Sequence, residues 1–141
     1  MIRALLCLTL FVSTLAGCSV SDADRSAAIA AAEQGVSKFH QQLDAGRFEE
    51  IYAGSTDELK KAGSLQEVVS GLAAIHRKLG VSKSTKQQTG LFSVGTPGTM
   101  VTLDYVTTYT GGDAHEQFVF LMHGNIPSLA GYHINSKALL P

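Results

Sequence analysis

The chain has 141 residues, 45% of them hydrophobic and 16% charged, with a formal net charge of −1 and two cysteines. That length supports one hydrophobic core and leaves no comfortable room for two domains. A near-neutral balance without a long basic run excludes the electrostatic footprint of a nucleic-acid binder, and two cysteines exclude a disulfide-built scaffold.

The chain opens with the pattern of a targeting signal. Arg3 gives a sparse positive region, Ala4 to Leu15 an apolar stretch, and small residues precede Cys18. The stretch suits a signal core and falls short of the roughly 20 residues that a membrane-spanning helix needs. Its last residues, Leu15-Ala16-Gly17-Cys18, resemble the lipobox of a bacterial lipoprotein signal peptide. The resemblance implies removal of residues 1–17, acylation of the Cys18 thiol and then of its new amine, and a mature protein held on a membrane of the cell envelope. Ser19 behind the cysteine, in place of Asp, resembles the sorting pattern for the outer membrane facing the periplasm in Gram-negative cells. Without the resemblance, the same residues make an ordinary cleaved secretory signal and leave Cys18 as a free thiol. Cys7 leaves with the signal and Cys18 carries lipid, so no cysteine remains for a disulfide or a thiolate metal site. Residues 18–24 are then a lipidated tether, and residues 25–141 a single domain.

From about Asp24 the composition turns alanine-rich. Ile29, Ala32, Val36, Phe39 and Leu43 recur at three and four residues, the stripe of a long amphipathic helix that Gly46 ends. Phe48, Ile51 and Tyr52 share a face of a short second helix, and Asp57 to Ala62 adds a further turn. Ser64-Leu65-Gln66-Glu67 has capping-box spacing. Leu65, Val68, Val69, Leu72, Ile75 and Leu79 form the expected buried face of the helix it opens, which Gly80 closes.

Beyond Lys83 the hydrophobic period changes to two, the signature of strands. A polar strand runs from Lys83 toward Val94, and Gly95 to Gly98 makes a turn. In Thr99 to Thr110, Val101, Leu103, Tyr105 and Tyr109 point one way, Thr102, Asp104 and Thr108 the other. Gly111-Gly112-Asp113 reads as a hairpin turn. Ala114 to Gly124 places Glu116, Phe118, Phe120 and Met122 on one face, Gln117, Val119, Leu121 and His123 on the other. Asn125 to Ser128, broken by Pro127, reads as a connection, and Leu129 to Ser136 as the last strand.

Helices first and a meander after predict an α+β fold, with N-terminal helices packed on a curved antiparallel four-stranded sheet. This order, with Leu79-Gly80 closing the last helix and Gly131-Tyr132-His133-Ile134-Asn135-Ser136 in the final strand, resembles the nuclear-transport-factor-2-like or cystatin-like superfamily. More narrowly, residues 30–136 resemble the bacterial group known as domain of unknown function 4019. The resemblance implies a sheet wrapped around a long helix, with a conical pocket at one end that members use for catalysis, for binding or not at all.

Enzymes of that superfamily that resemble ketosteroid isomerase need a carboxylate base and acidic hydroxyl donors. The pieces here are Asp104, Glu116, Tyr105, Tyr109 and Tyr132. Asp104 alternates with the tyrosines and reads as a solvated surface charge. Glu116 shares the aromatic face, where a buried carboxylate needs a partner, although its place near the strand start also lets it reach solvent. Tyr105 and Tyr132 fill the core with their hydroxyls at its rim. Tyr105, Glu116, Phe118 and Tyr132 are the pocket candidates. Among the five histidines, no pair has the helical spacing of a zinc site, and His40 and His76 read as boundary residues beside their helical stripes. His123 and His133 lie on neighbouring strands and could meet across the sheet, but two ligands make no real metal site. No nucleophile elbow and no phosphate-cradling loop is present.

These readings predict no catalytic set, no metal and no cofactor. They favour a membrane-anchored, non-catalytic ligand-binding or protein-interaction module. The alternatives are a small lyase or isomerase using Glu116 with a tyrosine, and an accessory subunit or homodimer that covers the apolar Val119 and Leu121 face.

Overall fold

The computed structural model describes residues 20–140. Residues 1–19, which include the segment read from sequence as a signal and Cys18, and residue 141 lie outside the described residues. Four helices, α1 (Asp22–Asp44), α2 (Phe48–Ala53), α3 (Asp57–Ala62) and α4 (Leu65–Leu79), precede four strands, β1 (Ser82–Val94), β2 (Thr99–Tyr109), β3 (Gly112–His123) and β4 (Ile126–Asn135). A short 3₁₀ turn, Lys137–Leu139, follows. The fold is α+β: the N-terminal helices pack against an open antiparallel sheet in the order β1-β2-β3-β4. Among the described residues, no helix is long and apolar enough to cross a membrane.

Helix α1 begins earlier than composition implied. The Ser21 hydroxyl accepts from the Asp24 backbone N–H while the Asp24 carboxylate reaches back to the Ser21 N–H. This capping box makes residues 22–24, read from sequence as tether, the first helical turn. Ala28, Ala32, Val36, Phe39 and Leu43 are buried on its inner face. Gly35 lets the helix lie close to the sheet, since a Cβ there would stand 3.0 Å from the Phe120 ring.

Helix α4 carries the expected box between Ser64 and Glu67 and ends at Gly80, whose φ of 73° favours glycine. Its apolar stripe is wider than the core it meets. Leu72 and Leu79 are buried, but Leu65 is 46% exposed, and Val68 and Ile75 are only partly covered.

The strands alternate as their period implies. Val101, Leu103, Tyr105 and Tyr109 of β2 and Glu116, Phe118, Phe120 and Met122 of β3 are buried on the helix-facing side. The turns differ from expectation. The β2–β3 hairpin has only Thr110 and Gly111 between its strands, with Asp113 already paired opposite Thr108. Likewise β4 begins at Ile126, and Pro127 lies within it opposite Met122. Proline is tolerated there because β4 is an edge strand and needs fewer ladder donors. Residues Ser55 and Thr56 cover part of that edge through a short parallel bridge, with the Thr56 N–H donating to the Leu129 carbonyl at 2.9 Å. Register shifts at Gln87–Thr89 in β1 and between Leu129 and Gly131 in β4 are the irregularities that bend strands.

Two glycines make opposite predictions. A Cβ on Gly111 would stand 2.6 Å from the Lys78 carbonyl oxygen, a backbone atom, so Gly111→Ala is expected to destabilise by about 1–3 kcal/mol. A Cβ on Gly71, inside α4, would meet nothing within 4 Å, so Gly71→Ala is expected to stabilise by about 1 kcal/mol through helix propensity alone. Urea unfolding of both variants checks the pair.

Candidate functional site

The deepest polar feature is a buried carboxylate at the meeting point of α1 and three strands. Glu116 is 2% exposed, and its side chain is fully enclosed. Its Oε2 accepts from His40 Nε2 of α1 at 2.9 Å. Its Oε1 accepts from the Tyr109 hydroxyl of β2 at 2.8 Å and the Tyr132 hydroxyl of β4 at 2.6 Å. Strand register explains the convergence. Glu116 stands opposite Tyr105 on β2 and Ile134 on β4, so Tyr132 reaches it diagonally, while the Tyr109 hydroxyl reaches it from a position opposite Gly112 on the same face. The Thr107 hydroxyl faces the same carboxylate without reaching hydrogen-bond geometry and has no other partner.

Electrostatics follow from this enclosure. Burial by itself raises the Glu116 pKa, but the His40 hydrogen bond and charge, with the hydroxyl donors, outweigh it and hold the carboxyl below the usual 4.5. Burial and the neighbouring Glu116 charge push the Tyr109 and Tyr132 hydroxyls well above 10, so both remain donors. Phe39 and Phe118 wall the cluster in. The Phe39 ring lies 4.6 Å from the Tyr132 ring and 5.1 Å from that of Phe118.

Tyr132 connects this cluster to a cleft. Its ring and that of Phe39 line an apolar hollow of about 610 Å³ between α2, α3, α4 and β4. Ile51, Leu59, Val68, Leu72, Ile75 and Leu129 supply the apolar walls, and Ser55, Glu58 and His133 bring polar groups to it. The incompletely covered residues of the α4 stripe, Val68 and Ile75, face this cleft. So does Gly71, where a side chain would meet open space.

The structure brings together Glu116, Phe118 and Tyr132 from the sequence-derived candidates. Tyr105 shares their face, but its hydroxyl instead donates to Gln87 Oε1 at 3.4 Å, and burial raises its pKa with help from the Glu33 charge. His40 corrects its reading as a boundary residue: it is 5% exposed and supplies the donor to Oε2. Its signal was its place four residues after Val36 and three before Leu43, on the buried stripe itself. Asp104 lies on the outer face, accepting from Thr89 Oγ1 and, at 2.9 Å, from Gln117 Nε2. Val119 and Leu121 also stand on that face, Val119 opposite Thr102 and Leu121 opposite Met100.

His123 and His133 do not meet. Opposite His133 on β3 is Gln117, six residues or about 20 Å from His123 along the strand. Among the described residues, no three His, Cys, Asp or Glu side chains converge as a metal site would require.

The fold and site define a helix-on-sheet domain with an internally hydrogen-bonded carboxylate behind a one-sided apolar cleft. No protein-family model matches the chain, and no curated protein is similar to it.

With both Glu116 oxygens engaged and the side chain enclosed, the carboxylate is not placed to take a proton from a molecule in the cleft. It fastens α1 to the sheet instead. Because folding lowers its pKa, the stabilisation is complete above the unfolded value near 4.5 and is lost as pH falls through the lower folded value. Unfolding midpoints are therefore expected to drop on acidification below about pH 4.5, less steeply in Glu116→Gln. Glu116→Ala, which orphans three donors, is expected to destabilise by about 3–5 kcal/mol in urea unfolding at neutral pH.

Proposed function

We propose that this protein is a lipid-anchored lipoprotein of the bacterial envelope whose domain, of nuclear-transport-factor-2-like or cystatin-like kind and resembling the domain of unknown function 4019 group, is a non-catalytic binding module. Its cleft takes an apolar small molecule. The observation that carries this reading is the face of α4: Val68 and Ile75 stay partly uncovered toward a cleft of about 610 Å³, within the size range of small-molecule sites. Gly71 adds to it. A mid-helix glycine costs about 1 kcal/mol relative to alanine, and no contact within the monomer requires one here, so its value lies in the space it leaves. Leu15-Ala16-Gly17-Cys18 supports the anchor, and the enclosure of Glu116 argues against a proton-transfer role.

Native mass spectrometry of the protein purified from its own envelope tests the binding function. A retained apolar molecule is expected, and Gly71→Trp, which fills the cleft, is expected to weaken its retention at least about tenfold. Glu116→Gln is expected to leave retention unchanged. A turnover that Glu116→Gln abolishes while the ligand stays bound would instead establish the lyase or isomerase alternative. Cys18→Ser is expected to release the protein from membranes, and continued partitioning would remove the anchor.

A second reading is favoured by the outer sheet face, where Leu91, 64% exposed, stands beside Thr102 and Val119, next to Met100 and Leu121. A second copy or an envelope partner covering this face would be displaced by Val119→Lys or Leu121→Lys without unfolding of the monomer. Sedimentation and crosslinking in the intact envelope read the difference.

A further inference from the structure

The β1–β2 and β3–β4 turns lie at one end of the sheet, and α1 begins beside them. Val20, Asp24 and Ala27 share a surface hollow with Thr99, Met122 and Asn125 at that end. Three large aliphatic side chains are exposed there: Val20 at 47%, Val94 at 59% and Ile126 at 69%. Isolated exposed aliphatics are ordinary on any protein surface. What sets this end apart is its lack of charge. Residues 87–103 and 117–136, which include both turns and the stretches of strand that adjoin them, contain no Asp, Glu, Lys or Arg. The charges nearby belong to the first turn of α1, where Asp22 is exposed, Asp24 is engaged by Ser21 and Arg25 lies 5.5 Å above the Phe92 ring.

Chain length then restricts what this end can face. Cys18 is two positions before Val20, and extended backbone covers at most about 3.6 Å per residue, so a lipid anchor at Cys18 attaches within about 7 Å of Val20 along the chain. We infer that this end of the domain is a membrane-resting surface, with Val94 and Ile126 of the two turns entering the lipid interface beside the acylated Cys18. The inference rests on the lipid anchor proposed above and goes beyond it, since an anchor on a long leash would leave the domain free to tumble. Ser21 caps α1 only three residues after Cys18, so the leash is short and leads into a rigid helix. The partner is an uncharged lipid surface. Without Lys or Arg on either turn, the contact is apolar and insensitive to salt.

The β2–β3 turn and the 3₁₀ turn mark the opposite end, where Leu140 is 66% exposed. Leu140 is therefore a control matched in chemistry and exposure. The mature lipidated protein, whose thioether-linked Cys18 leaves no competing thiol, takes a fluorophore at Val94→Cys, Ile126→Cys or Leu140→Cys. Each is reconstituted in phosphatidylcholine vesicles with brominated acyl chains. Strong quenching at positions 94 and 126, unchanged in high salt, with little at position 140, is the expected result. Equal quenching at all three positions, or none at 94 and 126 in protein whose mass shows the acyl chains, would overturn the resting surface and leave the anchor standing. A mature mass without acyl chains would overturn both. Thermal unfolding of each labelled variant at the parent temperature confirms that exposed-site labels have not changed the fold.

Discussion

The structure depends on how one negative charge is kept inside it. Glu116, carried on β3, is removed from water, and three other elements supply the groups that make this tolerable: His40 from α1, Tyr109 from β2 and Tyr132 from β4. A buried ionised carboxylate left unpaired would be far costlier than the domain could sustain. The three donors are therefore not independent contacts. They fix the crossing of α1 over the sheet, because only one placement of the helix brings His40 Nε2 to 2.9 Å while Phe39 closes against Phe118 and Tyr132.

From that fixed point the rest of the molecule divides into two functions of position. Toward the C-terminal half of α1, the short helices and α4 lean over β4 without filling the space between, and Tyr132 forms both the floor of the resulting cleft and a donor to Glu116. The floor is thus as rigid as the polar core. At the other end, the two hairpin turns, which carry no Asp, Glu, Lys or Arg, lie beside the start of α1, whose first turn holds Asp22, Asp24 and Arg25. The cleft and this end of the domain are separated by much of the length of α1, which rises 1.5 Å per residue.

Satisfied polar cores specify geometry more than they add stability. Here the specificity falls on the edge strand. β4 contains Pro127 and a register shift next to Gly131, features that weaken ladder pairing, yet it is held by Tyr132 from within and by the Ser55–Leu129 bridge from outside. Those restraints keep the cleft wall in place where the strand's own hydrogen bonding is poorest.

The helical stripes, the switch to period two at about Lys83, and the alternation that buries Glu116 with Phe118 and Phe120 were legible in the sequence, because each depends on neighbours within one element. The α+β order follows from them. Turn boundaries were less legible: Asp113 and Pro127 are residue types that favour loops, and only cross-strand pairing draws them into strands. The sequence grouped Tyr109 and Tyr132 with Glu116 without showing which tyrosines would bond it, and it left His40 as a boundary residue although His40 stood on a buried stripe. Which buried face meets which is set by helix placement and strand register, over sequence separations of up to 76 residues. The sequence by itself determined the order of the elements and their inner faces. Tertiary structure alone decided that His40 meets Glu116, that α4 leaves its stripe partly open, and that Val94 and Ile126 share an end, because those facts depend on distances between elements that no local pattern contains.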